Sequence, residues 1–189
     1  MYQGNTKILT PGVEGLATYN ADVTYVNGIE QTRIINTTNV ITQPTTQVVA
    51  VGTKPRPKTM ATGSFIWPIY GRVNSGYGSR YIFGSYSFHS GIDIAGAYGA
   101  AIKAADGGKV TFAGTGTGSY WSYGKYVVID HENGLQTIYA HCSSLDVRAG
   151  DRVYQGQVIA RVGSTGRSTG NHCHFEVRYK GERQNPMNY

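Results

Sequence analysis

The chain has only two cysteines, Cys142 and Cys173, among 189 residues. One internal disulfide is the most it can form, which excludes a scaffold built on disulfides. Charge is sparse at 15% of residues, and together with 40% hydrophobic content this excludes a disordered chain. Long apolar runs are missing: no stretch approaches the ~20 residues that span a bilayer. The start, Met1-Tyr2-Gln3-Gly4-Asn5, has neither the basic opening nor the apolar core of a signal peptide. If the protein works outside the cell, its export signal is expected to be removed or to lie on a longer parent chain. Helical periodicity is nearly absent. So is any dense Lys/Arg run: Arg148, Arg152, Arg161, Arg167 and Arg178 are scattered, and no basic helix or aromatic-plus-basic motif points to nucleic acid.

Glycine is abundant, with 26 residues, as is tyrosine, with 15, alongside many Thr, Asn and Ser. That mix favours short strands joined by tight turns, and the chain reads as mostly β with antiparallel sheets. The formal charge of +6 and a pI near 9.3 favour an acidic partner. With the bases scattered, an anionic cell-wall polymer fits better than nucleic acid.

Composition divides the chain into three segments. Residues 1–54 form a small β module: residues 17–26 alternate as a strand, Asn27-Gly28 is a hairpin signal because both residues tolerate positive φ, and residues 29–35 return. Residues 47–51 predict another strand. No acid/base or metal cluster occurs there, so the module suits binding or spacing. Residues 55–63, opening Pro55-Arg56-Pro57-Lys58, read as a linker whose prolines favour extended backbone without ladder donors. Residues 64–189 alternate strand-like runs with glycine turns, at 108–114, 126–130, 136–141 and 158–163, and Asn133-Gly134 predicts a second hairpin turn. No room is left for crossover helices, so a parallel βαβ sheet is excluded.

The chemistry concentrates in this last segment. In His172-Cys173-His174, strand alternation puts both imidazoles on one face and the thiol on the other. His89-Ser90-Gly91-Ile92-Asp93 has helical metal-pair spacing in an unhelical context, so His89 and Asp93 belong to a turn entering a strand. His141 ends the run Tyr139-Ala140-His141, and the remaining histidine, His131, lies beside a turn and is expected at the surface. Catalytic zinc takes three protein ligands and leaves one position for water. Four histidines and one aspartate supply such a set with two imidazoles to spare for proton transfer. The residues therefore suggest a zinc hydrolase.

Those blocks, with Gly163-Ser164-Thr165-Gly166-Arg167-Ser168-Thr169-Gly170-Asn171 leading into His172-Cys173-His174-Phe175-Glu176, resemble lysostaphin/LytM-type zinc endopeptidases, the M-23 peptidases. The likeness runs over residues 65–189 with every block in order. It implies a duplicated-hybrid-motif β fold, one zinc ion held by His89, Asp93 and His174, and His141 and His172 as the imidazoles serving the attacking water and the tetrahedral intermediate. It implies a secreted bacterial enzyme cleaving the peptide part of peptidoglycan, at a stem-peptide cross-link or a glycine-containing bridge, and acting as a monomer at the cell wall. The alternative within the same fold is a non-catalytic protein that binds the wall or activates another hydrolase.

Residues 1–54 resemble the C-terminal part of the G-five domain through Pro11-Gly12, Tyr25-Val26-Asn27-Gly28, Glu30, Arg33 and the ending Val48-Val49-Ala50-Val51-Gly52-Thr53-Lys54. Sugar or wall binding is the role that this resemblance implies.

Several assignments stay open on sequence. Tyr81 or Tyr86 is a candidate for an added hydrogen bond, or a surface aromatic. Residues 163–171 touch substrate or form an ordinary turn. Glu176 shares the face of the histidine pair, as an outer-shell group or as a solvated or ion-paired carboxylate. Cys142 and Cys173 stand where the family usually has apolar residues; each points away from its neighbouring histidine, and a disulfide and two buried thiols fit equally.

Overall fold

Side-chain alternation and glycine turns give strands through most of the computed structural model, which describes residues 1–82 and 84–189. They fall into two units, Met1–Arg56 and Pro57–Tyr189.

In the first unit, β1 (Thr6–Thr10) pairs with β4 (Val48–Val51), and β2 (Leu16–Val26) pairs with β3 (Ile29–Thr42), both antiparallel. Asn27 and Gly28 turn the second ribbon with φ of 53° and 78°, the doubly left-handed form that an Asn-Gly pair predicts. Among the described residues of this unit only Gly52 is buried. Ribbon side chains such as Ile34 stay in water. Ladder bonds and cross-strand pairs, rather than a core, hold the ribbon. Arg33 shows the pattern: it donates to both Glu30 oxygens at 2.9 and 2.8 Å and to Tyr19 Oη at 3.0 Å.

The second unit contains β5 (Val73–Ser75), β6 (Gly78–Ile82), β7 (Ser85–His89), β8 (Ile92–Ala95), β9 (Ala101–Lys103), β10 (Gly108–Thr115), β11 (Lys125–Asp130), β12 (Leu135–Cys142), β13 (Ser144–Leu145), β14 (Arg152–Val153), β15 (Val158–Arg161), β16 (His172–Tyr179) and β17 (Glu182–Gln184). The main sheet runs β14-β10-β11-β12-β16-β8-β5, with β17 also on β16; β13-β15-β9 form a second sheet and β6-β7 a hairpin. On one face of the main sheet, Ile92, Ile94, Val127, Ile129, Phe175 and Val177 join Ile102 and Ile159 of the second sheet in the hydrophobic core. On the other face a smaller cluster of Tyr126, Ile138 and Ala140 packs with Phe112, Tyr123 and Val128. His174 and Glu176 lie on that second face, where they meet Tyr123. Among the described residues no helix is long and apolar enough to cross a membrane.

Three expectations change. The stretch from Pro57 to Gly63 belongs to the second unit: the backbone N–H groups of Thr62 and Gly63 donate to the buried Asp106 carboxylate at 2.8 to 2.9 Å. The β11–β12 turn is wider than an Asn-Gly pair, with the left-handed residues at Glu132 and Gly134 rather than Asn133. Asp130 Oδ1 and Asn133 Oδ1 hold it by accepting from Glu132 N and Leu135 N.

The third correction is His131, which is 2% exposed rather than at the surface. Its Nδ1–H donates to Gly107 O at 2.8 Å, and its Nε2 lies 2.9 Å from Thr137 Oγ1, itself 2.8 Å from Tyr139 Oη. Ala105 N donates to that phenol at 2.8 Å. Each of these buried polar groups thus has a hydrogen-bonding partner. Nothing in the local sequence signals this, because Gly107, just before β10, and Thr137 and Tyr139, within β12, are brought around the ring only by the fold.

Both cysteines are free thiols in the core. Burial pushes the Cys142 thiol up to about 12 and Cys173 well above its ordinary value. An alkylating reagent is therefore expected to leave both unlabelled in native buffer and to add two labels per chain in denaturant without reductant; zero labels there would show a bridge.

Burial lowers the His131 pKa below its usual 6.5, outweighing the Gly107 hydrogen bond. The unfolded chain then takes up the proton first, so stability is full above about pH 6.5 and is lost as pH falls below it. His131→Ala is expected to cost about 1–3 kcal/mol in denaturant unfolding and to flatten that acid slope. An unchanged slope would show that His131 is not its source.

Candidate metal centre and catalytic cleft

The β8–β16 ladder sets Asp93 directly opposite His174 and Ala95 opposite His172. His89 closes β7 and reaches the same place across a two-residue corner, Ser90-Gly91. A Cβ at Gly91 would run into the Phe175 carbonyl, so only glycine lets this corner press against β16.

The donor atoms converge. His89 Nε2 lies 3.1 Å from Asp93 Oδ1 and 3.0 Å from His174 Nδ1, and His174 Nδ1 lies 2.8 Å from Asp93 Oδ1. The other ring nitrogens are committed elsewhere. His89 Nδ1 faces Gly76 O at 2.7 Å, and a carbonyl only accepts, so that nitrogen carries the proton. His174 Nε2 lies 3.1 Å from Glu176 Oε1, which fixes its proton in the same way. With the outer nitrogens protonated, a cation at the centre would take the place of the protons that His89 Nε2 and His174 Nδ1 otherwise share with Asp93 Oδ1, leaving three lone pairs directed at it. Ligand bonds of ~2.0–2.1 Å in tetrahedral geometry put neighbouring ligand atoms about 3.3 Å apart, close to this triangle. The residues fit a zinc ion.

Burial alone would raise the Asp93 pKa, but hydrogen bonds from His174 and His89 outweigh it and hold the carboxylate well below its ordinary range. Its second oxygen, Oδ2, faces Arg80 Nη1 at 3.3 Å, and the same nitrogen donates to Ser75 Oγ.

His141 and His172 stand beside the triangle with ring centroids 4.7 Å apart. His141 Nδ1–H donates to Thr165 O and His172 Nδ1–H to Gly170 O, both at 2.8 Å, so each ring keeps Nε2 for the cleft. Burial pushes the His141 pKa down to about 4, with the neighbouring His174 and His172 adding to it against the Thr165 bond. His141 has a left-handed φ of 61°, where a side chain is strained. The β11–β12 register shifts there, with Ala140 and His141 opposite a single residue. This bulge reverses the alternation: Cys142 enters the core and His141 turns to the cleft.

Glu176 is a correction to the solvated reading. It is fully buried, its Oε1 accepts from Ser90 Oγ, Tyr123 Oη and His174, and its Oε2 meets Arg178 at 2.9 Å. Desolvation opposes its charge, yet those partners hold its pKa at about 2. Period two along β16 could have found Arg178, two residues beyond Glu176. Tyr123 and Ser90 come from distant segments and carry no such signal.

Tyr81 and Tyr86 do not join the site. They are exposed and pack edge-on against each other in the β6–β7 hairpin, while the tyrosine lining the cleft is Tyr123, stacked on His174 at 5.8 Å. Residues 163–171 form no free turn. Thr165 Oγ1 donates to Cys142 O and accepts from Lys125 N, and a Cβ at Gly166 would strike the backbone of Ser122 and Gly124. The resulting cleft, about 410 Å³, is lined by the imidazoles with Arg80, Tyr123 and Arg167.

A Glu176→Gln variant keeps the side-chain shape and loses the charge that orients His174. Its affinity for a divalent metal is expected to fall roughly 10- to 100-fold in competition with a chromophoric chelator. Unchanged affinity would show that Glu176 has no part in the centre.

Comparison with known proteins agrees with this geometry. Residues 1–54 match the G5 domain. The chain is 42% identical over 121 residues to the DD-carboxypeptidase/endopeptidase Mpg of Neisseria meningitidis, covering 63% of this chain and 27% of that protein. It is 37% identical over 154 residues to the murein hydrolase activator NlpD of Salmonella typhimurium, covering 79% of this chain and 38% of that one. It therefore spans well under half the length of either. The catalytic domain of the antimicrobial peptidase lysostaphin from Staphylococcus simulans superposes with a TM-score of 0.56 at 30% identity, over 62% of this chain and 90% of that domain. Residues 87–186, more than half of the chain and the part that holds the three converging donors and the two imidazoles beside them, match Peptidase family M23, and the chain belongs to that zinc-dependent family.

Proposed function

We propose that the protein is a zinc-dependent endopeptidase that hydrolyses peptide bonds in peptidoglycan, working outside the cell at the wall. The observation that carries this reading is the convergence of His89 Nε2, Asp93 Oδ1 and His174 Nδ1 beside two imidazoles, His141 and His172, whose Nδ1 atoms are held by backbone carbonyls so that Nε2 faces the cleft, that of His172 3.5 Å from Asp93 Oδ1.

His89, Asp93 and His174 would hold one zinc ion. When bound, zinc supplies Lewis-acid activation of water and polarisation of the scissile carbonyl. His141, neutral well below pH 7, accepts the proton of the attacking water at Nε2. Thr165 O holds its ring in that tautomer. His172 is the second acceptor that orients this water, and the proton taken by His141 passes to the departing amine as the tetrahedral intermediate collapses. The strained backbone of His141 keeps the base from rotating into the core. The formal charge of +6 draws the protein to anionic wall polymer.

The similarity to a hydrolase activator supports a second reading, a wall-bound protein without turnover. Retention of all five site residues favours the enzyme. Release of new amino termini from purified peptidoglycan is the direct assay. The zinc-loaded protein is expected to release them, chelation to stop release, and His141→Ala to lower kcat by at least about 100-fold with metal content unchanged. No release from walls of several cross-link types would sink the enzyme reading, and a His141→Ala protein with full biological effect would favour the activator.

A further inference from the structure

The cleft holds one acid, Asp93, and two arginines, Arg80 and Arg167. Arg80 is spent on Asp93 Oδ2. Arg148, Arg152, Arg161 and Arg178 elsewhere in the unit also meet carboxylates. Arg167 is exposed and has no acidic partner among the described residues. Counting Asp93, Arg80 and Arg167, the cleft carries one net positive charge before any metal is added, and that charge sits on Arg167.

Its base is fixed, although its side chain is free. Arg167 N donates to Ser122 O at 2.8 Å. Gly166 before it holds φ of +73° against the backbone of Ser122 and Gly124, a place no side chain can share. Ser168 after it bonds Ser164 Oγ at 2.9 Å and Gly170 O at 2.8 Å. An anchored loop thus holds a planar, permanently charged fork on the cleft wall beside His172, the residue that this loop leads into. A guanidinium suits a carboxylate, with two parallel N–H···O bonds.

We infer that Arg167 binds a carboxylate of the substrate close to the scissile bond. This rests on the endopeptidase reading and narrows its substrate to stem peptides that keep a free carboxylate beside the cleaved amide. Uncharged oligoglycine bridges are then poor substrates. A charge-assisted fork contributes a factor of about 10 to 100 in affinity.

The test uses full-length, zinc-loaded His141→Ala protein, which does not consume its ligand. Two synthetic cross-linked stem peptides serve as probes, identical except that the carboxylate beside the scissile amide is free in one and a carboxamide in the other. Calorimetry is expected to show the carboxylate bound 10- to 100-fold more tightly, and Arg167→Gln to bring that ratio to about one, with Arg167→Lys keeping part of it. Equal affinity for the two peptides overturns the inference. So does an Arg167→Gln protein that keeps the preference, or one that loses wall retention with the preference untouched. Cleavage is measured separately with His141 intact: failure to cleave either peptide while the affinity preference persists counts against the hydrolase reading alone.

Discussion

The antiparallel pairing of β8 with β16 is the constraint on which the site depends. It places Asp93 opposite His174, so two of the three converging donors are a direct cross-strand pair. A slip of one residue would turn Cys173 to the cleft and both histidines to the core. The ladder cannot slip, because Ile92 and Ile94 on β8 and Cys173, Phe175 and Val177 on β16 all fill the core behind it. Hydrophobic burial on one face thereby fixes the geometry of the converging donors on the other.

The second constraint runs against the first. β12 follows the same alternation as β16 until Ala140, which lies opposite His174 on the cleft face. Regular pairing would send the next side chain, His141, into the core. The bulge and the left-handed φ of 61° prevent this, and the hydrogen bond from His141 Nδ1 to Thr165 O holds the result. Strain at that residue is tolerated because Cys142, displaced to the core side, is buried in its place. The loop of residues 163–171 therefore supports His141 as well as leading into β16.

What could be read from sequence was whatever depends on period two or on turn chemistry. The mostly β class, the Asn27-Gly28 hairpin and the shared face of His172 and His174 all follow from local rules. The separation of Cys142 from His141 also emerged correctly, but for an incomplete reason, since alternation along β12 is broken there. Long-range features were out of reach. His131 looks like a turn residue until Gly107 and Thr137 are brought around it, and Glu176 looks like any strand carboxylate until Tyr123 and Ser90 arrive from elsewhere. Tyr81 and Tyr86 drew attention through proximity in sequence to His89, whereas the ring on His174 comes from 51 residues before it in the chain, at Tyr123.

The charges around the centre follow one rule. Asp93 turns Oδ1 inward to the imidazoles and Oδ2 outward to Arg80; Glu176 turns Oε1 inward to His174 and Oε2 outward to Arg178. Buried carboxylates are costly unless both oxygens are satisfied, and each of these has a histidine on one side and an arginine on the other. Removing an arginine would leave a carboxylate whose charge falls more heavily on the imidazoles, favouring a proton where the proposed metal would bind. Arg80 and Arg178 thus keep the donors available without touching the metal position. Arg167, the cleft arginine without such a carboxylate, is left to meet the charge of something that enters from outside.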